Sequence, residues 1–240
     1  MPLTIRREDD VLYLTLDAAT QGNRLDADLV AALTAEYEGA APLDGGPAAI
    51  LLTAAGPDFC LGRARPAEQS DDPAEITAEF ARIQRMNEAV QRCRAVTLCA
   101  AQGRCEGAGL SLAARHDILL VADDAQLCFP EIRHGIPPTI VLSHFRYVLP
   151  RNLMGDLIYA GRAFPGAEAV GAGLAARSLP ATELESAALA LARDVAAQDR
   201  RSVALVKSFL AQTEAMPAPL APGLGISLYA NEIAHRLRKS

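Results

Sequence analysis

Two stretches of this sequence could do chemistry together. One is the turn Cys105-Glu106-Gly107-Ala108-Gly109-Leu110-Ser111; the other is Phe129-Pro130-Glu131, whose carboxylate follows Ser111 by 20 positions. The apolar run 95–101 reads as a buried strand and 110–115 as a helix, which places the glycines at a strand-to-helix junction. Such a junction points backbone N–H groups outward with the positive end of a helix dipole behind them. Groups so placed stabilise negative charge that develops on an oxygen. By itself a Gly-x-Gly turn serves tight packing equally well. A second turn adds weight to the chemical reading. After the apolar run 48–53 comes Gly56-Pro57-Asp58-Phe59-Cys60-Leu61-Gly62-Arg63-Ala64, again a strand and then a loop, with a glycine beside a candidate N–H donor. Two such donors can form an oxyanion hole, and Glu131 supplies a carboxylate opposite it.

The order and spacing of these pieces resemble the enoyl-CoA hydratase/isomerase, or crotonase, superfamily over residues 11–210. The resemblance is carried by Asn23-Arg24-Leu25, the FCLGRA loop, the QGRCEGAGLSLAARHDI segment, FPEIRHGIPP, and GAEAVGAGL, which has Gly166 in place of the family's first alanine. It implies that the two oxyanion donors are the backbone N–H groups of Arg63 and Ala108. Ala108 stands where the family usually has the middle glycine of a Gly-Gly-Gly run, between Gly107 and Gly109. Hydratases of the family use two glutamates to activate water and deliver a proton. The first of those positions is Ser111 here; the second is Glu131, which matches. Ala108 and Ser111 are three apart on a helix, so both face one pocket. A hydroxyl at 111 holds water but is a poor base. A lone carboxylate suits a double-bond shift, in which one base removes a proton from the acyl chain and returns it two carbons away.

Around that base, Phe129, Ile136 and Pro137 are expected to bury Glu131 and raise its pKa. The same resemblance places Leu61, Gly107 and Gly109 against substrate, and Arg24, Arg63 and Arg65 in the loops that meet the nucleotide end of coenzyme A. His144, on the helix after the Pro-Pro turn, either approaches the acyl pocket or packs. The implied activity is that of an acyl-CoA enzyme with no cofactor beyond the thioester substrate, most simply a 3-enoyl to 2-enoyl isomerase. Alternatives are hydration or dehydration shared by Ser111 and Glu106, decarboxylation or hydrolysis of a related thioester, and a non-catalytic acyl-CoA binding protein. Glu106 precedes the turn, so helical spacing does not aim it into the pocket.

The elements that must position these groups follow from periodicity. Strand-like runs at 12–16, 48–53, 96–101 and 118–121 alternate with helical patterns at 26–37, 78–92 and 110–115, which argues for an α/β core with buried parallel strands. Helices are expected at 153–159, 167–172, 183–197, 201–214 and, after the proline-rich break 217–222, at 226–239. The polar segment 66–75 reads as a loop beside the pocket. By resemblance, the fold is a crotonase-like spiral of ββα units over residues 1–175, followed by a C-terminal helical trimerisation region over 176–240. A homotrimer or dimer of trimers is then implied. Many family members continue into a further helix over the nucleotide; its expected absence here favours a carrier-tethered acyl thioester or a specialised one.

Composition narrows the classes. Half of the 240 residues are hydrophobic, enough for one sizeable core. The net charge of −6 argues against nucleic-acid binding and gives no support to a polybasic membrane anchor. Five cysteines without a Cys-x-x-Cys pair argue against a disulfide framework or a zinc site. Cys60 and Cys105 lie in the two turns, where a nucleophilic thiol is conceivable, although no histidine is spaced as an evident partner. With no basic-then-apolar leader and no membrane-length apolar run, the expectation is a cytoplasmic protein.

Overall fold

The computed structural model describes residues 2–65 and 70–238. In chain order it contains β1 (Leu3–Glu8), β2 (Val11–Leu16), α1 (Ala27–Gly39), β3 (Ala49–Ala54), α2 (Pro73–Arg92), β4 (Val96–Ala101), β5 (Arg104–Glu106), α3 (Ala108–Ala113), β6 (Ile118–Ala122) and β7 (Gln126–Cys128). There follow α4 (Thr139–Phe145), α5 (Arg151–Ala160), β8 (Ala163–Phe164), α6 (Gly166–Gly171), β9 (Arg177–Leu179), α7 (Ala181–Ala196), α8 (Arg200–Thr213) and α9 (Ala221–Leu237).

Two sheets share the work. The larger has the order β1-β2-β3-β4-β6-β9, and the smaller the order β5-β7-β8. In the larger sheet only β1 runs antiparallel, in a hairpin with β2; the rest pair in parallel, with Leu14 opposite Leu52 and Cys99 opposite Leu119. Parallel strands covered on both faces need continuous apolar sequence, and β3 (AILLTA) has it, with its first four residues buried. The chain visits the large sheet in β4, the small one in β5, a helix in α3, then the large sheet in β6 and the small one in β7. That repeat is the expected spiral of strand-strand-helix units.

Some expectations shift. Helix α2 starts at Pro73, not 78, because the Asp72 carboxylate accepts from Ala74 N at 2.8 Å and proline fits a first turn that needs no N–H. Of the loop expected at 66–75, residues 66–69 lie outside those described. The break at 217–222 is short, since α9 already begins at Ala221 with Pro222 in its first turn. Nor does the sheet stop at residue 175: β9 is its sixth strand, and Leu184, Ala188 and Ala192 of α7 are buried in the core cluster. Packing therefore carries the core to Ala196. Beyond it, α8 has no buried residue and α9 only Glu232. Among the described residues no helix is long and apolar enough to cross a membrane.

Candidate active site

Asn23 fixes the geometry of the first loop. It is fully buried with φ +50, a left-handed conformation that asparagine tolerates. Its Oδ1 accepts from Ala18 N at 2.9 Å, and its Nδ2 donates to Ala55 O at 2.9 Å and Asp58 O at 3.0 Å. The loop that follows β3 is thereby tied down at its base. Leu25 N then donates to Gly62 O and Ala64 N to Leu25 O, each at 2.9 Å. These two bonds straddle Arg63, whose own N–H donates to no acceptor among the described residues.

The second turn is built against the first. Glu106 N donates to Cys60 O at 2.9 Å, and the backbones of Cys60 and Cys105, both free thiols, pair in a single parallel β-bridge between the two segments. Gly107 is spoken for, its N–H donating to Cys128 O at 2.9 Å. Ala108 opens α3, so its N–H has no intrahelical partner and no other acceptor among the described residues. A Cβ built on Gly62 would lie 3.2 Å from Glu106 O and 3.8 Å from Ala108 N. The two free donors thus belong to turns in direct contact, the condition for one oxygen to meet both.

Both turns open into a cavity of about 670 Å³. Of the residues anticipated from sequence, Arg24, Leu61, Arg63, Arg65, Gly107 and Ala108 line it, as do Ser111, Glu131, Ile136 and Pro137. Glu131 sits in a short 3-10 turn, and its Oε2 is buried without a hydrogen-bond partner. A Cβ on Gly107 would fall 2.9 Å from Glu131 Oε1, so this carboxylate lies against the oxyanion turn itself. The φ of +52 at position 107 favours glycine by itself, and any Cβ there would displace the Glu131 carboxylate. Burial holds the Glu131 pKa above the usual carboxylate value, with Glu106 adding to the rise and His134 opposing it.

Three anticipated contacts lie elsewhere. Phe129 is fully buried with its ring edge-on to Phe145 at 4.8 Å, because its side chain turns into the core and away from the cavity. Gly109 is a packing position: a Cβ there would fall 2.6 Å from Cys60 O. His144 is half-buried, packs its ring edge-on against Phe145 at 5.2 Å, and stands outside the cavity wall. Burial holds its pKa down at about 4, so it stays neutral near pH 7. Neither turn offers a thiolate, since burial pushes Cys60 up to about 12 and Cys105 well above its ordinary value.

Sequence reasoning also missed wall residues. Glu106 lines the cavity, because it ends strand β5 and helical spacing does not govern it. So do His134, Asn87, Phe80 and Ile83. The last three come from α2, whose amphipathic stripe was legible but whose partner was not. The Arg63 side chain is drawn to the same helix, with Nη1 2.5 Å from Glu79 Oε1 and the guanidinium 5.1 Å from the Phe80 ring centroid. Arg24 instead braces the loop by donating to Leu61 O.

The enoyl-CoA hydratase/isomerase family model matches residues 6–235. The chain belongs to the enoyl-CoA hydratase/isomerase family. Among this family's members, a protein named probable enoyl-CoA hydratase from Mycobacterium bovis is 29% identical over 238 residues, covering 97% of this chain and 88% of the relative. A cyclohexa-1,5-dienecarbonyl-CoA hydratase from Thauera aromatica is 30% identical over 167 residues, 68% of this chain and 62% of that one. An enoyl-CoA hydratase structure from Mycobacterium smegmatis superposes with a TM-score of 0.90 at 24% identity, over 97% of this chain and 91% of that one. A Thermobifida fusca protein solved in complex with acetoacetyl-CoA gives 0.84 at 23% identity, over 98% and 95%. These likenesses show that the fold is the crotonase fold.

Proposed function

We propose that this family member binds an acyl-CoA or carrier-tethered acyl thioester in the cavity and shifts a carbon–carbon double bond from the 3- to the 2-position with Glu131 as the single base. The reading is carried by one arrangement: two unpaired N–H groups, of Arg63 and Ala108, in turns that touch, with a buried carboxylate against the same backbone. A thioester carbonyl seated between those donors acidifies the adjacent carbon. Glu131 takes a proton from C2, the electron pair moves to the carbonyl oxygen, and the two N–H groups hold the resulting enolate, each by about 3 kcal/mol. The proton then returns from Glu131 to C4, the enolate collapses, and the double bond lies between C2 and C3. The raised pKa of Glu131 suits a group that must both accept and release that proton. Ser111, facing the cavity where family hydratases carry a glutamate, favours this one-base route. Arg65, exposed at the wall and without an ion-pair partner among the described residues, suits an anionic nucleotide. The chemistry asks for no further cofactor.

A second reading, hydration, is favoured by one observation: Glu106 joins Glu131 in the wall, so two carboxylates can flank a water. One experiment separates the two. With trans-3-hexenoyl-CoA in D₂O, the isomerase gives 2-hexenoyl-CoA that keeps most of the hydrogen moved from C2 to C4, and Glu131→Gln lowers turnover between ~100-fold and ~10,000-fold. With trans-2-hexenoyl-CoA as substrate, a 3-hydroxyacyl product that disappears in Glu106→Gln would instead establish the hydratase.

A further inference from the structure

Much of the cavity wall is apolar, with Phe80, Ile83, Ile136, Ile140 and Val141 in it. Besides the charged groups and His134, two uncharged polar side chains interrupt that surface. Asn87 and Ser111 are only 1% and 4% exposed, and both line the cavity. Asn87 Oδ1 is buried without a hydrogen-bond partner, and the Ser111 hydroxyl makes no hydrogen bond among the described residues. Asn87 also occupies a core position of its helix: the buried stripe of α2 runs Ile83, Met86, Asn87, Ala89, Val90. A leucine would fit that pattern, whereas an unpaired carboxamide there costs stability.

The next turn of each segment does not leave its polar groups open. Gln91 lies four residues beyond Asn87 and Arg115 four beyond Ser111, and Arg115 Nη1 donates to Gln91 Oε1 at 2.8 Å. That bond ties the end of α2 to the segment just past α3, whereas Asn87 and Ser111, one turn earlier on each, both line the cavity. From this we infer that the acyl group accepted here carries a neutral oxygen, a hydroxyl or a ketone, outside the reacting carbons, and that Asn87 and Ser111 bind it. Both side chains are uncharged, and both donate and accept, which matches such an oxygen. A carboxylate is the poorer match, since Arg115 stands outside the wall, the Arg63 guanidinium is already paired with Glu79, and Arg24 and Arg65 lie in the loops assigned to the nucleotide. The inference rests on the cavity being an acyl-thioester site.

The test is titration calorimetry with three matched thioesters: hexanoyl-CoA, 5-oxohexanoyl-CoA and 6-hydroxyhexanoyl-CoA. At least one oxygenated probe should bind about tenfold more tightly than hexanoyl-CoA. Asn87→Leu should bring that ratio near one while keeping hexanoyl-CoA affinity. Ser111→Ala, which removes only a hydroxyl, should lower the ratio too and keeps the test alive if the first variant fails to fold. Equal affinities in the wild type, or a ratio unmoved in the folded variants, would overturn the inference and leave the thioester reading standing. Failure of all three probes to bind would overturn both.

Discussion

Glu131 is a carboxyl group with one oxygen shut away from water and from any partner, and that condition has a cost that can be measured. Burial raises its folded-state pKa above the usual 4.5, so the folded protein holds the proton to higher pH than the unfolded chain does. The stability this group contributes is complete below 4.5 and is lost as pH rises through the folded value. Glu131→Gln, which stays neutral, should therefore melt higher than the wild type near pH 7.5 and close to it near pH 4. Scanning calorimetry at the two pH values reads this directly, and a difference independent of pH would place the carboxyl in water. Its identity as a site residue was legible from spacing. Its contact with Gly107 was not, since residues 24 apart in sequence meet only when β5 and β7 pair.

At the scale of elements, the proposed oxyanion hole depends on how closely α3 presses on the loop after β3. Gly109 sets that distance, for a Cβ would fall 2.7 Å from Cys60 Sγ as well as on the Cys60 carbonyl. Gly109→Ala should force the two turns apart, costing roughly 1–3 kcal/mol of stability. Thioester affinity should fall with it, although position 109 touches no ligand. Thermal melts paired with calorimetry check this, and a folded variant with undiminished affinity would free α3 from that role. The long elements were readable in sequence: β2, β3, β4 and β6, and the helices from α1 onward, carry enough apolar positions for their period to show. The strands of two or three residues, β5, β7, β8 and β9, were not. A segment that short has no period, and its extended form is imposed by the neighbour that accepts its hydrogen bonds.

At the scale of the whole molecule, the last two helices carry large apolar side chains that a single chain does not cover. Val206 and Leu210 of α8 and Ile226 and Tyr229 of α9 are exposed, large and apolar. Such a face suits burial between copies, and we propose a homotrimer or a dimer of trimers built on it. Light scattering coupled to size exclusion should give three or six chains, and Leu210→Asp with Tyr229→Asp should drop the assembly toward single chains. A wild-type monomer at micromolar concentration would end that proposal. The sequence by itself determined the family, the α/β class, the two turns and a carboxylate at position 131 in the cavity, because each is written in local spacing and backbone requirements. Only the tertiary structure decided which of these residues share a cavity. It turned Phe129 and Gly109 into packing, chose packing over the pocket for His144, and brought in Glu106, Asn87 and His134. A side chain's direction at a strand end or in a 3-10 turn is set by what it packs against, and that partner is distant in the chain.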